Sequence, residues 1–282
     1  MTFEEIKKDS YLKKFIEENG LSDDFVASHL SVFSRVCSSR NKCLNCPGLS
    51  SCGQKSKGER SSLSYSGVLI EEMEYCDYAL HQLKKDNLSR GYLWCDIPKE
   101  LMSLELDHIS YAPEQKVLYA YLLGILYKKR EKGLYICGDM GVGKTYLSIA
   151  LANSLARNNE KVAFVKVTDF FNTMRSYYGS SPEMIDKTVN KLKNADYLIL
   201  DDIGAESVSE FVRDDILLRI LDYRMENKKT TIFTSNLNKE DLQKHYQYDR
   251  KEKSNLMKSL RLMERINILT DDYVLSGRNL RR

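Results

Sequence analysis

Eight residues, Gly138-Asp-Met-Gly-Val-Gly-Lys-Thr145, stand between an apolar run at 134–137 and a helix-like stretch at 146–156. A glycine-rich loop between a strand and a helix is the setting of a phosphate-binding loop, and it commits this part of the chain to an α/β unit. Glycines let the backbone curl closely around phosphate, and amide N–H groups at the start of the following helix point at negative charge. Lys144 is then spaced to reach the β and γ phosphates, and the Thr145 hydroxyl to coordinate magnesium. The nucleotide-binding residues expected from the motif are Gly138, Asp139, Met140, Gly141, Val142, Gly143, Lys144, Thr145 and Tyr146. ATP and Mg2+ are the expected ligands.

Around this loop the sequence alternates strand and helix patterns. Apolar runs at 134–137, 161–167, 195–200 and 230–234 read as strands, with a fifth inside 266–274. Helical stretches fall near 145–157, 169–177, 182–193 and 208–227. Apolar strands joined by helical crossovers predict a parallel sheet covered on both faces, with ligands beyond the carboxyl ends of the strands. Few residues follow the fifth strand, so a full helical lid is not expected.

The third strand runs into Asp201-Asp202-Ile203-Gly204. A carboxylate closing an apolar strand beside the phosphate loop can anchor a magnesium-water shell, which makes Asp201 the expected Walker B acid and a magnesium residue with Thr145. Asp202 is placed to orient or deprotonate the attacking water. Where many ATPases carry a longer glutamate, the shorter Asp202 predicts slow or partner-stimulated hydrolysis. The fourth strand ends in Thr234-Ser235-Asn236, and an amide at that tip can bond both the γ-phosphate and the water, so Asn236 is a sensor. Charge developing on the phosphoryl group needs an opposing cation. Arg213, Arg219, Arg224, Arg261 and Arg265 are the arginines available, and Arg265 in Arg261-Leu-Met-Glu-Arg-Ile266 reads as a finger offered to an adjacent subunit, with Arg261 one helical turn earlier.

The chain has seven cysteines, and Cys37, Cys43, Cys46 and Cys52 crowd together, followed by Cys76. Cys43-Leu-Asn-Cys46 is a C-x2-C knuckle followed by Pro47-Gly48. In a reducing compartment such a cluster reads as a zinc site rather than a disulfide framework. Cys43, Cys46, Cys52 and Cys76 form the expected tetrahedral set, with Cys37 as a spare ligand and His81 as a substitute. Cys95 and Cys137 lie in apolar contexts and are expected in the core. Residues 1–88 are thus expected to form a small, mostly helical zinc domain, including a helix at 24–36 capped by Ser22, and residues 89–282 the ATPase domain, joined near 85–91. So small a module buries little apolar surface, so chelation should unfold it.

No stretch approaches the roughly 18 uncharged apolar residues of a membrane span, and the first residues lack the basic and apolar regions of a secretory signal. A cytoplasmic protein is expected. A net charge of +3 says little about nucleic acid.

The phosphate loop, Leu200-Asp-Asp-Ile-Gly204, Thr234-Ser-Asn236 and Arg261-Leu-Met-Glu-Arg-Ile266 together closely resemble the bacterial primosomal helicase loaders of the DnaI/DnaC type, AAA+ ATPases of the initiator clade. The run from Cys43 to Cys52, with Cys76, points to the DnaI branch of low-GC Gram-positive bacteria. The resemblance covers essentially the whole chain. It implies a zinc-bearing domain that grips the replicative DNA helicase and a motor domain that binds ATP and single-stranded DNA, acting with other primosomal proteins and self-associating on the helicase. Carried over by position, Lys144 and Thr145 serve phosphate and magnesium, Asp201 and Asp202 form Walker B, Asn236 is sensor 1 and Arg265 the finger. A sensor 2 role would fall to Arg278, Arg281 or Arg282. For DNA, Lys187, Lys191 and Lys193 beside Tyr177 and Tyr178 would supply charge and stacking surface. A helper ATPase for DNA transposition shares the ATPase core but leaves the cysteines unexplained. A P-loop kinase for a small molecule leaves the Thr234–Asn236 sensor unexplained, and a zinc adaptor with a merely structural nucleotide site is the third rival.

Overall fold

Along each strand of the main sheet, successive residues go to opposite faces, and that period of two sorts the core into two layers. The computed structural model describes residues 3–130, 132–247 and 256–280. It divides into two units, 1–85 and 86–282.

The larger unit holds a six-stranded parallel sheet: β3 (Tyr92–Cys95), β4 (Gly133–Cys137), β5 (Val162–Lys166), β6 (Tyr197–Asp201), β7 (Thr230–Ser235) and β8 (Thr270–Val274), in the order β3-β5-β6-β7-β4-β8. Leu134, Ile136, Val162, Phe164, Ile199 and Ile232 face one layer, covered by α6 (Lys116–Leu126) and α7 (Lys144–Arg157). Tyr135, Ala163, Val165, Leu198, Leu200 and Phe233 face the other. That layer is covered by α8 (Val167–Tyr177), α9 (Pro182–Asn194), α10 (Arg219–Glu226), α11 (Lys239–Gln247) and α12 (Leu256–Leu269). Strands buried on both sides read as continuous apolar runs, which is why β4, β5, β6 and β7 were legible, whereas β8 is a polar edge strand that falls within the expected 266–274 segment. β3 was not legible: its four residues form an edge strand interrupted by a register shift between Tyr92 and Trp94. Cys95, expected in the core, ends that edge strand and is exposed, while Cys137 is buried at the end of central β4.

The helix expected over 208–227 is two pieces, a π-helical segment Phe211–Leu218 followed by α10. The wider winding turns Arg213 fully inward, where its guanidinium chelates Asp214 (2.8 and 2.9 Å) and donates to the Tyr246 carbonyl (3.0 Å). Arg224 of α10 is also fully buried. It donates to the carbonyls of Leu192 (2.9 Å), Ala195 (2.7 Å) and Thr230 (2.6 Å) and to the Thr231 hydroxyl (2.9 Å). Those acceptors lie at the end of α9, in the turn before β6 and at the start of β7, so one side chain ties three elements together. Burial depresses its pKa to about 9, with Asp196 opposing.

The smaller unit contains α1 (Phe3–Lys8), α2 (Ser10–Glu18), α3 (Asp23–Ser28), α4 (Leu30–Asn41) and an antiparallel hairpin, β1 (Glu59–Tyr65) with β2 (Leu69–Tyr75). Helix α5 (Asp77–Gly91) spans the division. Ile6, Leu12, Val26, Phe33 and Val36 form its core. Ser22 caps α3 as expected, its hydroxyl accepting from Phe25 N at 3.2 Å. The helix expected at 24–36 breaks at His29, whose ring stacks on Phe25 (4.2 Å between centroids). The hairpin escaped sequence reading because its strands carry polar residues on the open side. Cys37, the proposed spare ligand, is buried in this core with its thiol donating to Asp9 (3.3 Å); burial and that carboxylate raise its pKa to about 11. It is a core residue.

Replacing Arg224 with Met should strand at least three buried carbonyls, costing about 3 kcal/mol. Calorimetry should show the transition of the larger unit lowered by roughly 6–12 °C.

Candidate nucleotide-binding site

The loop after β4 can take its course only with glycine at its turns. Gly141 has φ +83° and Gly143 +100°, and a Cβ at either would press into the Asn279 or Gln115 side chain at 2.1 or 2.2 Å. Gln115 clamps the loop from outside, donating to the Val142 carbonyl and accepting from Ala112 N, both at 2.8 Å. Leu280 N bonds the Gly141 carbonyl (2.9 Å). α7 starts at Lys144 with Gly143 as its left-handed cap, so the first amides of the helix open toward the loop.

Lys144 is almost entirely buried, and its ammonium donates to the carbonyls of Gly138 (2.7 Å) and Asp139 (2.9 Å) and to Asn236 Oδ1 (2.9 Å). Burial holds its pKa below the usual lysine value, against the pull of Asp202, Asp201 and Asp139. At the end of β6, Asp201 Oδ1 accepts from the Thr145 hydroxyl (2.9 Å) and the Thr234 hydroxyl (2.6 Å). Burial raises its pKa, and these two hydroxyls oppose the rise. Asp202 takes the left-handed conformation, φ +59°, unusual for a residue with a side chain. Its amide donates to the same Thr234 hydroxyl (2.9 Å), and its carboxylate accepts from Asn236 Nδ2 (2.9 Å).

A cleft of about 910 Å³ lies over these groups. Of the residues expected at the nucleotide, Met140, Gly141, Gly143, Lys144, Thr145 and Tyr146 line it, with Asp201, Asp202 and Asn236. Gly138 and Asp139 contribute carbonyls to Lys144, and Val142 turns into the core. Arg278 lines the cleft; Arg281 and Arg282 lie outside the described residues. Gln115, Tyr111 and Lys166 line it too and were not anticipated. Tyr111 and Gln115 precede the loop by more than twenty residues, with no motif to mark them. Lys166 ends β5, in register with Asp201, and could have been found from strand order alone.

The arginines separate into two groups. Arg213 and Arg224 are buried structural residues and are removed from the list of possible fingers. Arg265 does not line the cleft of its own chain. It lies on α12, donating through Nε to Asp222 (2.7 Å) and contacting Glu264. Arg261 is on the same helix and more exposed, and Arg219 pairs with Asp186 at 2.7 Å.

Residues 54–276 match the model of the IstB-like ATP binding protein family. The chain belongs to this family. It is similar to the replicative helicase loader DnaI of Bacillus subtilis (strain 168), 27% identical over 99% of this chain and 91% of that protein. A crystal structure of DnaI is 32% identical with TM-score 0.57, covering 69% of this chain and all of the other. A putative primosome component from Streptococcus pyogenes serotype M3 is 29% identical with TM-score 0.55, covering 71% of this chain and all of the other. The resemblance to DnaI/DnaC-type AAA+ ATPases therefore holds at the level of family and fold.

Outside the IstB-like match lie Cys43, Cys46 and Cys52, which with Cys76 line one small cavity of about 70 Å³ in the smaller unit. Cys52 Sγ accepts from Gly58 N (3.4 Å), and this backbone bond leads the causes that lower its pKa. Cys43 Sγ accepts from Gln54 Nε2 (3.3 Å). Among the described residues, no three His, Cys, Asp or Glu side chains are already set at metal-holding geometry. His81 does not line the cavity. No described helix is long and apolar enough to cross a membrane.

Thr234 holds the acidic pair in place. Its hydroxyl both donates to Asp201 and supports the left-handed Asp202. Thr234→Val should lower ATP turnover about tenfold or more, with nucleotide affinity much less affected, and Thr234→Ser should keep most of the rate; steady-state hydrolysis against nucleotide titration checks both.

Proposed function

We propose that this chain is an ATP-dependent loader that binds the hexameric replicative DNA helicase and delivers it to single-stranded DNA during initiation or restart of replication. The observation that carries the reading is the similarity to DnaI across nearly the whole chain, including the cysteine-bearing part that the IstB-like match leaves out. A transposition helper would need only the ATPase core, and a small-molecule kinase would have no use for Asn236 between Lys144 and Asp202.

The residues of the cleft fit a triphosphate. Lys144 and the first amides of α7 would hold the β and γ phosphates. Thr145 and Asp201 offer two oxygens 2.9 Å apart to a hard cation, and magnesium bound there would neutralise phosphate charge. Asp202, fixed by Thr234 and Asn236, orients the attacking water, and Asn236 reports the phosphate state by exchanging its bond to Lys144. Arg278 acts in the same chain as sensor 2. Arg265 acts as a finger on the nucleotide of an adjacent copy. Hydrolysis is slow and stimulated by partners, because the short Asp202 reaches less far than a glutamate.

The smaller unit binds zinc and grips the helicase. Four thiols around one cavity, two of them already accepting N–H bonds, suit a tetrahedral soft-ligand ion whose role is to hold the loop together. Lys187 and Lys191 lie on the exposed face of α9, and adjacent copies would repeat that charge into a track for single-stranded DNA. Other primosomal proteins are expected partners, and the cytoplasm the expected compartment.

Mixing the chain with the replicative helicase of its own organism, with and without ATP, should give a complex by native mass measurement and transfer of helicase onto a single-stranded circle. Lys144→Ala should abolish ATP binding and loading; absence of a complex in both conditions would sink the loader assignment, and loading that survives Lys144→Ala would favour the zinc adaptor. Metal analysis should find about one zinc per chain, and Cys46→Ser should lose both the zinc and the helicase complex while leaving ATP binding intact.

A further inference from the structure

Arg261 and Arg265 are one turn apart on α12, and both reach the same carboxylate, Asp222 of α10. Arg265 donates through Nε to Asp222 Oδ1 at 2.7 Å, and Arg261 Nη2 lies 3.6 Å from Oδ2. The two differ in exposure: the Arg265 side chain is 17% exposed and that of Arg261 59%. Arg261 and Asp222 line a surface groove of about 460 Å³ with Lys193 and Arg219 and the carboxylates of Asp214 and Glu226, and Arg265 reaches its wall through Asp222. Of these cations, Arg219 has its own partner in Asp186. The start of α12 is tied separately, by Lys258 to Asp214 at 3.3 Å. Arg265 is therefore oriented by the Nε contact to Asp222, while its Nη1 meets the exposed carboxylate of Glu264, which a phosphate can displace from the guanidinium fork.

We propose that Asp222 is the positioning residue for the α12 arginines: by holding Arg265 and Arg261 together at the groove, it presents them to the terminal phosphate of a nucleotide bound in a second copy of this chain. The inference rests on the reading of Arg265 as a finger in trans. A long guanidinium side chain without an orienting partner samples several rotamers, and a finger is useful only when it is in place as charge develops. Asp222 touches neither substrate nor reacting atoms, so it acts only through the arginines.

The test uses the full chain with the replicative helicase and ATP, measuring kcat and KM for hydrolysis alongside binding of a fluorescent ATP analogue. Asp222→Asn should lower kcat roughly tenfold with KM and analogue affinity unchanged, and Asp222→Glu should recover most of the rate. Mixing supplies the readout that a folding role would not move. A Lys144→Ala copy has an intact finger but no nucleotide, whereas an Asp222→Asn copy has an intact nucleotide site, so the mixture should regain turnover above either variant alone. Arg265→Ala mixed with Lys144→Ala is the control. If that control pair fails to complement, the finger reading falls and Asp222 with it. If the control pair complements but the Asp222→Asn pair does not, or if Asp222→Asn hydrolyses ATP at the normal rate or faster, the positioning role alone is overturned. An equal loss in Asp222→Asn and Asp222→Glu, accompanied by a lowered unfolding temperature, also overturns it.

Discussion

The strand between the phosphate loop and the acidic pair is β7, and the site depends on what its tip carries. In the order β6-β7-β4, the loop follows β4 and the twin aspartates close β6, so no direct ladder joins them. Besides the direct bond from Thr145 to Asp201, Thr234 and Asn236 supply the connection. The Thr234 hydroxyl bonds Asp201 and the amide of Asp202, while Asn236 accepts from Lys144 and donates to Asp202. An amide serves here because it is donor and acceptor at once. A carboxylate at 236 would face Asp202 with like charge, and an apolar residue would leave buried Lys144 with one acceptor fewer.

Behind the acids, a second chain of polar contacts runs through the layer that carries α12. Gly204 N donates to Glu206 (2.8 Å), whose other oxygen is bonded by the Tyr246 hydroxyl. The Tyr246 carbonyl accepts from Arg213, Arg213 chelates Asp214, and Asp214 pairs with Lys258 on α12. Glu206, Arg213 and Tyr246 are all buried, so each depends on the next for its hydrogen bonds. The π-helical winding is what allows Arg213 to join. The loop of Asp202 is thus connected toward α12 within one copy, through buried groups as far as Arg213 and then by the partly exposed pair of Asp214 and Lys258.

Much of this was legible in the sequence, for reasons that differ by element. The central strands are apolar on both faces, and the phosphate loop has a fixed spacing of glycines, lysine and threonine, so both announce themselves locally. The edge strand β3 and the β1–β2 hairpin do not, because one side of each is open and their composition is mixed. Gln115 shows the same limit at the site. Its clamp on Val142 depends on a fold that brings residues 27 positions apart together, and glutamine before a helix carries no signature. The cysteines were legible as a group but not individually. Spacing drew Cys43, Cys46, Cys52 and Cys76 together, yet it could not tell that Cys37 faces the apolar core on α4 or that Cys95 is exposed.

The arginines pose the sharper version of that problem, because in sequence they are interchangeable. What separates them is the acceptor each meets. Arg224 is surrounded by backbone carbonyls, which cannot leave without exposing the ends of α9 and β7, and such an arginine is fixed for the life of the fold. Arg213 is similarly enclosed. Arg261 and Arg265 instead share one partly exposed carboxylate on a neighbouring helix. Exposed ion pairs contribute little to stability and exchange readily. A phosphate carrying more charge than Asp222 can therefore compete for a guanidinium already held at the surface, whereas it could not draw one out of the core. By that argument the buried arginines build the fold, and Arg219, Arg261 and Arg265 are the ones whose ion pairs can exchange; among them the finger proposed above falls to the α12 pair.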